Sequence, residues 1–105
     1  MENKILSYLG FAAKARKLVT GYNTCLYMME KRNIRLLVLA EDLSENSVKK
    51  MVSAAEKHKV PCKIYGVGEQ LSKITGNAGK GIFGITDENF AKVISDGIDY
   101  IQSEK

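Results

Sequence analysis

Histidine, cysteine and proline are scarce in this chain, and each shortage removes a class of function. One histidine, His58, and two cysteines, Cys25 and Cys62, are the only imidazole and thiol groups it has. A structural zinc site takes about four ligands, and there is no CxxC pair, so no metal site is expected. The two cysteines are far apart in sequence and set among apolar residues. They read as reduced, buried thiols rather than a disulfide staple, and nothing pairs either with His58 as a nucleophile. The one proline, Pro61, leaves no proline-rich linker, and no repeat or low-complexity segment is visible. No apolar run approaches the roughly 20 residues that cross a bilayer. The opening MENKILSYLG starts acidic and lacks the basic region and apolar core of a secretory signal. One cytoplasmic domain, 1–105, without cofactor or membrane association, is the expectation.

What is present is ordinary in bulk and uneven in placement. The 105 residues are 45% hydrophobic and 27% charged, and a domain of this size buries roughly two-thirds of its unfolded surface. A core therefore forms without staples. The net charge is +4, a mild excess that suits a polyanionic partner. It is not uniform. Residues 1–20 carry Lys4, Lys14, Arg16 and Lys17 against Glu2, whereas residues 86–105 carry Lys92 and Lys105 against Asp87, Glu88, Asp96, Asp99 and Glu104. The remaining basic excess lies in the first half and around Lys63, Lys73 and Lys80.

Periodicity orders the chain. Ile5, Leu6, Leu9 and Ala13 recur at helical spacing. Leu18 and Val19 form a short strand before Thr20-Gly21, and a second helix is predicted from about Tyr22 to Arg32, with Cys25, Met28 and Met29 inward. Residues 34–40 are short and nearly all apolar, as in a strand buried on both faces. Ser44 is a good N-cap for a third helix with the stripe Val48, Met51, Val52 and Ala55. Val60-Pro61 ends that segment, because proline disfavours helix in the residue before it. A strand at 62–65, a short helix from Glu69 to Thr75 ended by Gly76, and a strand at 82–85 follow. Asp87 then caps a last helix with Phe90, Ile94, Ile98 and Ile101 on one side. Alternating helices and strands argue for α/β, with helices on both faces of one sheet.

Three motifs fail on inspection. The run from Gly76 to Gly81 looks like a phosphate loop, but Ile74 stands where GxxxxGK[ST] needs its first glycine. Gly81 replaces the magnesium-binding hydroxyl, and a strand follows where a helix should. Gly66-Val67-Gly68 lacks the third glycine of a dinucleotide fingerprint. Glu41 and Asp42 follow a central strand, where α/β enzymes often keep catalytic groups, but they have no base, nucleophile or metal partner. They read as loop or cap residues, and no enzyme is expected.

One constellation survives. Asn23, Tyr27, Glu30 and Lys31 share a polar helix face opposite Cys25, Met28 and Met29. The helix opens at Thr20-Gly21, so its unpaired backbone N–H groups attract anions. Gly21 allows close approach, and Lys14, Arg16 and Lys17 are expected to flank it. Asn23 suits a base edge and Tyr27 a stacking or hydroxyl contact. These residues make an RNA site, with phosphates at the helix N-terminus and base edges read by Asn23. An ordinary amphipathic helix accounts for the same pattern equally well.

The tracts LGFAAKARKLVTGYN, LLVLAEDLSENSVKK, KVPCKIYGVGEQLSKITGNAGK and GITDENFAKVI resemble the bacterial YlxQ-type proteins. These are small members of the superfamily of archaeal ribosomal protein L7Ae. The resemblance covers nearly the whole chain in order, and LAEDLSENSVKK is its most specific part. It implies a three-layer α/β/α sandwich around a four-stranded mixed sheet, and no enzymatic activity. It also implies binding of kink-turn or related RNA through the start of the second helix and the loop before the last strand. By the resemblance, Gly21 and Asn23 match a Gly-x-Asn/Glu motif that approaches sheared G·A pairs. Thr24 stands where many members have Glu, Tyr27 where lysine is usual, and Lys31 at a basic position. The second contact loop maps to Gly76 through Gly81. Here it is Asn77-Ala78-Gly79-Lys80, small and basic where kink-turn binders are apolar.

The expected partner is structured RNA, with ribosomal RNA as a candidate, bound by a protein that is monomeric when free. The expected contacts are Lys14, Lys17, Gly21, Asn23, Thr24, Tyr27, Lys31, Asn77, Ala78, Gly79 and Lys80. The alternative is a protein-interaction module that keeps the fold without specific RNA recognition.

Overall fold

The computed structural model describes residues 2–77 and 81–103. Nine elements follow in order: α1 (Glu2–Lys14), β1 (Leu18–Thr20), α2 (Tyr22–Glu30), β2 (Leu36–Leu39), α3 (Glu45–Lys57), β3 (Cys62–Ile64), α4 (Gly68–Thr75), β4 (Ile82–Ile85) and α5 (Glu88–Ser103). The strands form one sheet in the order β1-β4-β2-β3. β4 is antiparallel to both β1 and β2, and β2 is parallel to β3, so the sheet is mixed.

Two cores lie on opposite faces of this sheet. Alternation along β2 sends Leu36, Val38 and Ala40 to one face and Leu37 and Leu39 to the other, as strand geometry requires. The first face packs Ile5 and Leu9 of α1, Leu71 of α4 and Ala91, Ile94 and Ile98 of α5. The second packs Cys25 and Met29 of α2 and Met51 and Ala55 of α3. This is the expected three-layer α/β/α sandwich.

The local signals act as their chemistry dictates. Ser44 caps α3 by accepting the Ser47 amide at 3.2 Å, and the Asp87 carboxylate accepts the Phe90 amide at 2.9 Å. In α1 the fully buried small residue is Ala12, not the expected Ala13, which is half-buried. The buried face is thus Ile5, Leu9 and Ala12.

Three helices stop by one device. After α1, α2 and α3, residues Arg16 (φ 60°), Arg32 (φ 61°) and Lys59 (φ 58°) take left-handed backbone. Each amide bonds back to a carbonyl three residues earlier, and the next amide bonds to a carbonyl five earlier: Arg32 to Met29 and Asn33 to Met28, for example. This is the Schellman arrangement, in which glycine is usual. It stops α2 at Glu30, two residues before the expected Arg32.

Strand register places those three stops together. Leu18 and Leu36 both lie opposite Ile85, and Cys62 lies opposite Leu37. The chain therefore enters β1, β2 and β3 at one end of the sheet, bringing Arg16, Arg32 and Lys59 there. The other end carries the exits of β1, β2 and β3 and the entry to β4.

Candidate nucleic-acid interface

The first turn of α2 begins where β1 ends. Gly21 is the N-cap, with φ 95° and ψ 157°, and no side chain caps the turn. That backbone region is essentially restricted to glycine. The Gly21 amide is itself used, donating to the Ile82 carbonyl at 3.0 Å. Within the helix the first backbone bond runs from Cys25 to the Gly21 carbonyl. The amides of Tyr22, Asn23 and Thr24 are thus the helix's uncapped donors. The macrodipole puts partial positive charge at this point.

The Gly21–Ile82 bond brings the second expected contact loop alongside. Ile82 opens β4, and the Gly81 carbonyl before it accepts the Ala40 amide at 2.8 Å. Gly76 ends α4 in left-handed backbone. Asn77 is exposed, donating its side-chain amide to the Thr75 carbonyl at 3.0 Å. Ala78, Gly79 and Lys80 lie outside the described residues. The Gly81 flank of the loop sits at the same sheet end as Gly21.

Down α2, Asn23, Thr24, Tyr27, Glu30 and Lys31 are all exposed. Tyr27 is 57% exposed, and the Lys31 ammonium lies 5.5 Å from its ring centroid, within cation–π reach. The two side chains bring an exposed ring and a positive charge together. The opposite side of the helix is anchored by Cys25 and Met29, both fully buried. Burial pushes the Cys25 thiol up to about 12, and Cys62 is also raised by burial, partly offset by Lys63. Both stay protonated at neutral pH.

One sequence-based grouping changes. Lys14, Arg16 and Lys17 do not flank Gly21, because β1 lies between them. Lys17 accepts the Thr86 amide on its carbonyl at one end of β4, whereas Gly21 meets Ile82 at the other. Three extended residues, four steps along the chain, separate Lys17 from Gly21, about 13 Å. Glu41 and Asp42, by contrast, serve as loop clasps as expected. Glu41 accepts the Gly66 amide at 3.1 Å and Asp42 accepts the Gly68 amide at 2.9 Å. The participation of Ile82 was not legible beforehand, since a backbone carbonyl leaves no trace in residue type.

Residues 3–95 match the model of the ribosomal protein L7Ae/L30e/S12e/Gadd45 family. The chain belongs to this family. Two curated bacterial relatives are both named RNA-binding protein YlxQ. The one from Enterococcus faecium is 30% identical over 89 residues, covering 85% of each chain. The one from Bacillus subtilis is 33% identical over 88 residues, covering 83% of this chain and 88% of that protein. Neither the family description nor these names denote an enzyme. Among solved structures, a protein of unknown function from Bacillus halodurans superposes with a TM-score of 0.87 at 28% identity, covering 91% of this chain and 97% of that one. The 15.5kD RNA binding protein of Giardia lamblia shares the fold, with a TM-score of 0.78 at 17% identity over 94% of this chain and 88% of that one. This L7Ae-family chain is thus YlxQ-like over most of its length. No described helix is long and apolar enough to cross a membrane.

Proposed function

We propose that this chain binds structured RNA of the kink-turn or a related internal-loop type, as a cytoplasmic, ribosome-associated factor that is monomeric when free. The carrying observation is the β1–β4 register, which sets the uncapped first turn of α2 beside Ile82, where β4 begins. A phosphate or base edge meeting the amides of Tyr22, Asn23 and Thr24 also meets the Asn23 side chain and the 76–81 loop. Gly21 keeps that approach open, since a Cβ built there meets nothing within 4 Å. Tyr27 and Lys31 extend the surface by stacking and charge, and Lys80 adds a phosphate contact. Lys14 and Lys17, beyond β1, attract other phosphates without reading sequence.

Two curated relatives with RNA-binding names support the ligand class. In the 76–81 loop, the polar Asn77 favours hydrogen bonding over the apolar contact that the resemblance implies there.

Titrations of a kink-turn RNA and a scrambled duplex across a salt series test the reading. The expected result is tighter binding of the kink-turn, with affinity falling as salt rises because neutralised phosphates release counterions. Asn23→Ala lowers the preference by roughly 10- to 100-fold, the worth of a good base-edge contact, and leaves duplex binding unchanged. Absence of saturable binding to any structured RNA at low salt overturns it. Cellular partners that survive nuclease then identify a protein-interaction module instead.

A further inference from the structure

The basic residues of this protein divide between two kinds of surroundings. All three ion pairs among the described residues are on the α4/α5 side: Lys63–Asp99 at 2.6 Å, Lys73–Glu69 at 3.9 Å and Lys92–Asp96 at 3.2 Å. On the α2/α3 side the cations have no such partners among the described residues. A cleft of about 610 Å³ runs between α2 and α3, lined by Tyr22, Glu30, Lys49, Lys50, Lys57 and His58 among others. A second, of about 340 Å³, opens where both helices end, and takes Arg32, Arg35, Lys57, His58 and Lys59. Lys57 and His58 line both, so the two clefts form one trough.

Six Lys and Arg residues line this trough: Arg32, Arg35, Lys49, Lys50, Lys57 and Lys59. That is six of the chain's 16, faced by Glu30 as the one lining carboxylate. None is in an ion pair with a described residue. Basic residues near helix C-termini offset the dipole there, which accounts for Lys57 and Lys59. It does not account for Lys49 and Lys50, which sit in the middle of α3, or for Arg35 at the mouth of β2.

We propose that this trough is a second RNA surface that grips the phosphate backbone of a duplex, adjoining the first turn of α2 at Tyr22. The proposal rests on the reading of the chain as an RNA binder. Tyr22 lines the trough and also belongs to that first turn, so one RNA held at Gly21 continues along α2 into it. Unpaired ammonium and guanidinium groups along a groove suit a regular array of phosphates, which binds by charge rather than sequence. Apolar anchoring is poor there. Of the large exposed hydrophobic residues, only Tyr22, at 36%, lines the trough. A lysine-rich lining is also unlike the core of a protein interface, where charged residues are depleted.

The test uses the full chain and a plain RNA duplex of about 20 base pairs with no internal loop, titrated over a salt series. The triple variant Arg35→Gln/Lys49→Gln/Lys57→Gln is expected to lose about tenfold or more in affinity at low salt and to flatten the salt slope by about 3, one per phosphate contact removed. A urea-unfolding midpoint of the triple variant close to the parent's excludes a folding defect as the cause, and Lys49→Arg/Lys57→Arg keeps both affinity and slope. A control of equal charge change on the other helices, Lys4→Gln/Lys73→Gln/Lys92→Gln, leaves the slope close to that of the parent. Equal losses in the trough variant and the control, or an unchanged slope in the trough variant, overturn the proposal. So does failure of the parent protein to bind the duplex at low salt. Asn23→Ala separates the two surfaces: it lowers the kink-turn preference and spares duplex binding, so either surface can fail without the other.

Discussion

The amide of Gly21 donates to the carbonyl of Ile82 across 3.0 Å, and this bond joins two loops that are far apart in sequence. It continues the pairing of Thr20 with Phe83 by one residue and fixes where α2 starts relative to the entry of β4. The function proposed for the chain depends on that junction.

Gly21→Ala is expected to lower stability by about 1–3 kcal/mol, because φ 95° and ψ 157° strain any residue with a Cβ. No neighbour lies within 4 Å of the added atom, so Gly21→Ser costs about the same as Gly21→Ala. Urea unfolding midpoints of the two variants check this. A markedly larger loss for serine means that a clash, not the backbone, is responsible.

Gly84→Ala tests packing instead. A Cβ there lies 2.6 Å from Ile34 Cδ1, 3.2 Å from Val19 Cγ2 and 3.3 Å from Cys25 Sγ. Ile34 is 4% exposed and Cys25 fully buried, so neither moves into solvent. The expected cost is about 1–3 kcal/mol from overpacking. Ile34→Val in the same chain is expected to recover part of it, measured by thermal unfolding of the single and double variants.

Arg32→Gly and Lys59→Gly are each expected to raise stability, by about 0.5–1 kcal/mol. Left-handed backbone at these positions is unfavourable for residues with a Cβ, and the gain is reduced by glycine's greater freedom in the unfolded chain. The same changes weaken duplex RNA binding if the trough acts as proposed. Opposite movement of stability and affinity, from chemical denaturation and titration, is the expected signature.

Cys25 gives the protein an alkaline limit. Its thiol rises from an ordinary 9.0 to about 12 on burial, so the folded state holds a proton that the unfolded state releases first. Its contribution is complete below pH 9 and is lost as pH rises from 9 towards 12, at up to about 1.4 kcal/mol per pH unit. Cys25→Ala is expected to flatten the fall in urea-unfolding free energy across that window. In the folded protein at pH 8, Cys25 is also expected to resist thiol reagents, because the thiolate is the reactive form.

Most of the architecture was legible beforehand because its signals are local. The run 34–40 announced a strand buried on both faces, and Leu36 through Ala40 are all buried. Ser44, Asp87 and Gly76 marked helix ends by side-chain and backbone chemistry that acts within a few residues. The misjudged end of α2 is instructive: Arg32 carries no turn signal, yet takes the place where glycine is usual.

The candidate site was legible only in pieces. The exposed face of Asn23, Tyr27 and Lys31 follows from helical period alone. The grouping of Lys14, Arg16 and Lys17 with Gly21 treated nearness in sequence as nearness in space. An extended strand of three residues was enough to carry them to opposite ends of the sheet.

Residue order alone thus settled the type of each element, the faces it buries and most of its caps, since hydrophobic period and capping act over one or two turns. Strand order and register belong to the folded whole, because each strand takes the place where both faces of the sheet can be covered at once. That arrangement set Gly21 against Ile82 and drew Arg16, Arg32 and Lys59 to one end. It also paired the cations of α4 and α5 while leaving those between α2 and α3 without carboxylate partners among the described residues.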